Sequence, residues 1–391
     1  MTFSFKRITS SGKFIPEIDG LRFIAITGVV LFHLNYYYTA NTIQYDRSFF
    51  SPVKSILLHG YLCVSLFFVI SGFILGMPFA RFHILKESPV DLKKYFFRRL
   101  TRLEPPYILV MTVMLFVVLL VTRKLTLSGG LENYFSSIFY VHNLIYGKHV
   151  FPYLNGPAWS LEIEVQFYIL VPLIAYIFSI RSVSLRRILM IGIAYFFLIL
   201  NYFIDLPFTS LVNYFQYFFI GFLLADLYVT RSFVLPNTKW NQVIGVVCFL
   251  LFWFFDPYFI KSNFVKCFAE AIQLASVFCF IYYVVFLKSF KTLSVSLITN
   301  IGGMCYSIYL MHYPLIVLVG KPLLHHSFSK YAFINISLYS VILIFTIMAI
   351  SSVLFLFVER PCMDKNWFRK IFSTNRLRQA SPSPSNLRQD R

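Results

Sequence analysis

The stretch PEIDGLRFIAITGVVLFHLNYYY, residues 16–38, decides the fold class. From Gly20 to Tyr38 it is an apolar run of the length, about 20 residues at 1.5 Å each, that carries a helix across the hydrocarbon of a bilayer. Two ionisable side chains, Arg22 and His33, interrupt that run. Such groups are costly inside a bilayer and need a partner or a task. The stretch therefore reads as a first transmembrane helix with chemistry built into it. Lys6, Arg7 and Lys13 precede it, but no clear cleavage site follows, so it reads as a retained helix rather than a signal peptide.

Outward from this helix the apolar pattern continues to the end of the chain. Of the 391 residues, 58% are hydrophobic and only 13% are charged, where a soluble domain carries about a quarter. Spans are predicted at 20–38, 56–78, 104–122, 159–180, 187–204, 211–229, 240–256, 265–287, 299–320 and 333–358. The fold class is all-α, an integral membrane bundle of about ten transmembrane helices. The transmembrane domain covers 1–362, and a basic, Ser/Pro-containing cytoplasmic tail over 363–391 reads as disordered. Two segments read as non-spanning: the basic stretch 79–103, and 123–158 as the longest outer loop. No external loop is long enough to hold a soluble core.

The net charge of +19 raises the question of nucleic acid, but the cations sit between apolar segments. Lys and Arg number 25 on one set of alternating loops and 9 on the other. That asymmetry puts both termini in the cytoplasm of a multi-pass cell (inner) membrane protein, with no nucleic-acid partner. The six cysteines are scattered without CxxC spacing and read as small hydrophobes.

The intramembrane polar groups carry the functional signal. Arg22 and His33 are eleven residues apart, three helical turns plus about 20°, so they share one face roughly 16 Å apart. An interfacial anchor and a hydrogen-bonded core histidine are the bland alternative. The fourth span opens Trp159-Ser160-Leu161-Glu162-Ile163-Glu164, which places Glu164 about 8 Å and His33 about 10 Å below the outer edge. At one depth, carboxylate and imidazole can hydrogen-bond if their helices are neighbours. Glu162 reads more simply as a solvated interfacial charge. Tyr309 and His312, spaced i,i+3, share a face of the ninth span, although packing of a Gly- and Ser-rich helix explains its small residues as well. Arg98, Arg99 and Arg102 cluster before the third span. They read either as a topology signal in contact with anionic lipid or as a grip on nucleotide phosphates. GxxxxGK(S/T), GxSxG and HExxH are absent, and the two intramembrane histidines have no further metal ligand nearby in their helices.

These residues together resemble the acyltransferase-3 family of multispan bacterial membrane O-acyltransferases, and the likeness runs nearly end to end. Pro16-Glu17-Ile18-Asp19-Gly20-Leu21-Arg22 followed by His33 is similar to the family's opening, with its R-x10-H signature. Leu66-Phe67-Phe68-Val69-Ile70-Ser71-Gly72-Phe73 looks like the second-helix motif. The arginines at 98–102, Trp159-Ser160-Leu161 with Glu164, Tyr306-Ser307-x-Tyr309-Leu310-x-His312-x-Pro314 and Glu359-Arg360-Pro361 follow in order. One position departs: family members often carry a second glutamate where this chain has Val165. The likeness is to stand-alone members without a hydrolase-like domain.

The resemblance implies transfer of an acyl group, by default acetyl, from cytoplasmic acyl-CoA to a hydroxyl of a surface or exported polysaccharide or glycolipid. On that footing Arg22, Arg98, Arg99 and Arg102, with Ser71, are expected to bind CoA. Pantetheine is roughly long enough to span from Arg22 to His33. His33 is expected to act as general base or transient acyl carrier, with Glu164 orienting it. Tyr309 or His312 is expected to polarise the thioester carbonyl. The competing class is a transporter or flippase of a lipid-linked sugar, against which stands the lack of an evident inverted repeat or pair of broken spans.

Overall fold

The structure is a computed structural model that describes residues 5–8, 14–41, 51–232, 235–236, 238–257 and 260–364. The tail assigned to 363–391 lies, from residue 365 on, outside the described residues. Among the described residues every regular element is helical. In order they are α1 (Pro16–Asn41), α2 (Ser51–Leu58), α3 (Cys63–Leu85), α4 (Leu92–Phe116), α5 (Leu127–Ile138), α6 (His142–Tyr146) and α7 (Trp159–Ile174). They continue with α8 (Val183–Phe203), α9 (Phe215–Thr230), α10 (Asn241–Phe254), α11 (Asn263–Val285), α12 (Ser296–Gly303), α13 (Cys305–Leu324) and α14 (Ala332–Leu354).

Seven helical stretches among the described residues are long and apolar enough to cross a membrane: Val53–Leu85, Leu92–Thr122, Gly156–Ser179, Val183–Phe203, Asn263–Val285, Cys305–Leu324 and Ala332–Cys362. The other three expected spans fall to α1, whose charges dilute its apolar character, and to the shorter α9 and α10. The outer faces are apolar, with Ile188, Phe196 and Phe203 exposed on α8 and Val341 and Phe345 on α14. The polar side chains lie inside, with Asp19, Asp226 and Glu359 fully buried. That is the distribution expected where the solvent is lipid. The protein is a multi-pass membrane protein.

Three boundaries differ from the sequence reading, each for a local reason. The span expected at 299–320 is two helices that meet at Met304, so the Gly302-Gly303 pair ends α12 rather than lying within a span. Gly302 packs so closely on α1 that an added Cβ would lie 1.8 Å from the Asp19 carbonyl oxygen. The basic stretch 79–103 is not a separate surface segment. α3 runs on to Leu85, and α4 starts at Leu92 with the Asp91 carboxylate capping the Lys94 N–H at 3.0 Å. The arginines therefore occupy the first turns of the third spanning helix.

The outer loop 123–158 also folds. Thr126 caps α5 through the Gly129 N–H, and α5 doubles back along α4. Tyr134 pairs with Thr112, Tyr107 donates to the Ser137 carbonyl, and Tyr140 donates to Glu104. The polypeptide thus re-enters the bundle, and its polar groups find partners there instead of water. At the centre α3 packs along α9. Gly72 and Gly221 face each other's backbone there, and a Cβ on either would lie within 2.4 Å of a carbonyl oxygen of the other helix.

Candidate active site

α1, α3, α4, α7 and α13 enclose one cavity, with an empty volume of about 1070 Å³ that includes its open mouth. Arg22, His33, Ser71, Arg99, Arg102, Glu164 and Tyr309 all line it. Seven of the nine expected site residues, drawn from five helices, therefore face one space. The two that do not are Arg98, which is exposed, and His312, which is buried behind His33.

At one end of the cavity stand the cations. Arg22 is already paired: its Nη1 lies 2.7 Å from the Asp19 carboxylate, a group 1% exposed that also meets Arg7 at 3.4 Å. Arg99 and Arg102 have no carboxylate within ion-pair distance among the described residues. Arg99 instead lies over the rings of Tyr95 and Tyr168, with its guanidinium carbon 5.7 and 5.6 Å from their centroids. Helical spacing makes all three arginines of α4 neighbours, i,i+4 for Arg98 with Arg102 and i,i+3 for Arg99 with Arg102; in the structure Arg99 and Arg102 line the cavity while Arg98 is exposed. Two cations at the wall of a cavity, with no carboxylate in ion-pair contact among the described residues, can take up an anion, and guanidinium suits phosphate.

His33 and His312 occupy the other end. His312 Nδ1 lies 2.7 Å from the Tyr309 carbonyl oxygen and 3.1 Å from that of Ile308, and His33 Nδ1 lies 2.9 Å from the Val29 carbonyl oxygen. A carbonyl only accepts, so both neutral rings carry their proton on Nδ1. His312 Nε2, 3.3 Å from His33 Nδ1, is then the acceptor of a second bond from the same N–H. His33 Nε2 is left as an unprotonated nitrogen with no hydrogen-bond partner among the described residues, on a ring that lines the cavity. Such a nitrogen can take a proton from a substrate hydroxyl.

The expected pairing of Glu164 with His33 is corrected. Glu164 accepts from Ser71 Oγ at 2.6 Å and from the Tyr168 hydroxyl, while the imidazole is held by Val29 and His312. Equal depth along two helices does not fix which walls their side chains reach. Ser71 thus holds a carboxylate, its hydroxyl hydrogen already given away. Tyr309 likewise donates to the Pro157 carbonyl at 2.6 Å, and Ser160 Oγ lies 3.1 Å from its hydroxyl. Neither Tyr309 nor His312 aims a free donor into the cavity, which corrects the role expected for them on a thioester carbonyl. Glu162 is not a solvated charge: it is 2% exposed and accepts the Asn143 N–H at 3.0 Å.

Arg7 and Tyr168 carry no assigned role in the sequence, and Glu359 enters there only as part of the family likeness. Arg7 reaches Asp19 from the N-terminal segment, and Tyr168 completes the Glu164 site. Glu359 accepts from both the N–H and the hydroxyl of Ser307, tying the helical turn Phe355–Glu359 that follows α14 to the start of α13. The i,i+3 spacing of Asp19 and Arg22 was a signal available in the sequence. Arg7 carried none, because its partner lies across a tertiary contact.

A membrane bundle with cations at one end of a cavity and a bare imidazole nitrogen at the other has the parts of an enzyme that takes a proton from a substrate. The comparisons with known proteins give its family. The family model described as "Acyltransferase domain" matches residues 15–358, and the chain belongs to this family. It is 26% identical over 405 residues to O-acetyltransferase OatA of Staphylococcus aureus (strain NCTC 8325 / PS 47), covering 94% of this chain and 60% of that protein. It is 27% identical over 347 residues to peptidoglycan O-acetyltransferase OatA of Listeria monocytogenes serovar 1/2a (strain ATCC BAA-679 / EGD-e), covering 80% of this chain and 51% of that one. The chain spans between half and two thirds of the length of these relatives. No solved structure matches it significantly.

Proposed function

We propose that the chain is a membrane O-acyltransferase that moves an acyl group, by default acetyl, from acyl-CoA to a hydroxyl of a surface or exported glycan or glycolipid. The observation that carries this is the single cavity shared by the unpaired Arg99 and Arg102 and by the bare Nε2 of His33. Family membership and the relatives' names support acyl transfer and a glycan acceptor.

In this reading Arg99 and Arg102 hold the CoA phosphates, and Arg22, braced by Asp19, adds positive potential at the same end. The positive-inside bias of the loops turns that end to the cytoplasm. The pantetheine arm runs along the cavity, roughly the 16 Å that separates residues eleven apart on a helix, and presents the thioester to His33. Nε2 of His33 takes the proton of the acceptor hydroxyl as its oxygen attacks the thioester carbonyl. The carbon–sulfur bond breaks, and the CoA thiolate leaves and recovers a proton from the imidazolium. His312 steadies the ring and spreads the positive charge through its Nε2. Glu164, held by Ser71 and Tyr168, sets the negative potential that keeps Arg99 in place.

The test is acetyl transfer from labelled acetyl-CoA to glycan by membranes that hold matched levels of wild type, His33→Ala and the double variant Arg99→Ala/Arg102→Ala. Loss of product in both variants is expected. Undiminished product in either removes those residues from the mechanism.

A further inference from the structure

A second pocket opens beside the first, formed by the segment after α6 and the segment that leads into α9. Its empty volume is about 610 Å³, the open solvent at its mouth included. Trp159 lines both pockets. Its ring lies 5.6 Å from that of Tyr214, and Tyr214 in turn lies 5.0 Å from Phe68, which lines the first cavity. One aromatic layer therefore separates the two spaces.

That layer stands at the His33 end of the cavity. Tyr309 docks on Pro157 and Asn155 on the Leu310 carbonyl, and the Tyr313 ring lies 5.4 Å from His33. The first turn of α7, with Trp159, is thus pinned to the helix segment that carries the histidine pair. The arginines line the cavity from the first turns of α4.

The pocket's chemistry is specific. Trp159, Tyr214, Thr209 and His149 line it, and the indole N–H, the two hydroxyls and the imidazole of these residues have no hydrogen-bond partner among the described residues. Side chains that are partly apolar and partly polar, converging with their polar atoms uncommitted, suit a ligand that offers both CH faces and hydroxyls. The pocket carries no spare positive charge from Lys148, whose ammonium is 2.5 Å from Asp205. That favours a neutral polyol over a phosphate. The rim is preformed: the Lys148 N–H bonds the Pro207 carbonyl at 2.9 Å, clasping the two segments together. Gly147 makes the turn at φ +82°, where an added Cβ would lie 3.1 Å from the Pro207 carbonyl oxygen.

We propose that this pocket is the acceptor subsite, where one neutral sugar unit of a glycan lies against Trp159 and Tyr214 and bonds to Thr209 and His149. The adjoining sugar hydroxyl is thereby delivered past Trp159 to His33. The proposal rests on the acyl-transfer reading, and it adds where the acceptor binds and by which groups.

The experiment uses the full chain in lipid nanodiscs, with acetyl-CoA as donor and the pentamer of N-acetylglucosamine as acceptor probe. Pentamer binding is read from quenching of tryptophan fluorescence, and turnover is read separately. Thr209→Val removes a hydroxyl at constant shape, and His149→Gly suits the φ of +72° at that position. Each is expected to weaken pentamer binding and raise the acceptor KM by about tenfold, the effect of one lost hydrogen bond. Acetyl-CoA hydrolysis without acceptor should be unchanged, which shows that both variants are folded. If wild type fails to bind the pentamer, or if both variants bind and acetylate it like wild type, the subsite proposal is overturned. If the variants lose pentamer binding but wild type transfers no acetyl group, the subsite stands and the acyl-transfer reading falls.

Discussion

Nε2 of His312 lies 3.3 Å from Nδ1 of His33, with the two rings set edge to face 5.0 Å apart. Because each Nδ1 also faces a backbone carbonyl of its own helix, the pair has a direction. The proton of His33 faces Val29 and His312, and Nε2, on a ring that lines the cavity, keeps its lone pair uncommitted among the described residues. His312 is therefore a positioning residue for His33.

Replacing His33 with Ala should lower kcat by about 10²–10⁴, the contribution of a positioned general base. His312→Ala should lower it by about a hundredfold, the low end of the same range, and leave the KM for acetyl-CoA unchanged. His312→Gln, whose side-chain oxygen can still accept from His33 Nδ1, should recover part of the loss. Steady-state kinetics with both substrates varied measures this. A His312→Ala enzyme with wild-type kcat removes the relay.

The three arginines should separate. Arg99→Ala and Arg102→Ala each remove a charged donor from the cavity wall and should raise the KM for acetyl-CoA about 10–100-fold, as expected for a hydrogen bond to a charged group. Arg98→Ala, on the exposed side of the helix, should leave KM near its wild-type value. Equal effects at all three positions would mean that the cluster acts through general membrane charge and not through the cavity.

Asp226 is fully buried on α9 and takes Nε of Arg186 at 2.5 Å and of Arg187 at 2.7 Å. Asp226→Asn strands two cations at the end of α8, and breaking such a pair costs about 3–5 kcal/mol. A lower Tm in detergent is expected, with donor KM unchanged in whatever folded protein remains. A variant as stable as wild type would show that water already solvates this cluster.

His142, on the segment that doubles back into the bundle, is pushed by burial from 6.5 down to about 4. Between those values the unfolded chain binds the extra proton, so stability rises with pH there. Thermal stability should be full above about pH 6.5 and fall progressively as the pH drops towards 4. His142→Phe should flatten this part of the profile. An identical acid limb in the variant would assign the titration to another group.

Much of the lining of the candidate cavity is legible in the sequence because helical period is local. Arg22 and His33 on one ridge, and Tyr309 with His312, follow from residue spacing alone, whereas spacing does not separate Arg98 from Arg99 and Arg102. The pairings across helices did not follow. Glu164 and His33 share a depth, yet one turns to Ser71 and Tyr168 and the other to His312. Arg7, counted only as a loop charge, reaches the Asp19 carboxylate. The segment 123–158 was read as loop because its polar residues mask a helix whose partners are on α4.

By itself the sequence determined that this is a helical membrane protein, with costly ionisable groups set at fixed intervals along its spans. The cost of exposing backbone and charge to hydrocarbon allows little else. Only the tertiary structure decided which of those groups meet: that Arg22 is paired with Asp19 while Arg99 and Arg102 have no carboxylate in contact among the described residues, and that His33 leans on a second histidine. Those choices depend on helix rotation and on approaches as close as that of Gly302 to α1. Both are properties of packed pairs of helices, which no single segment of sequence encodes.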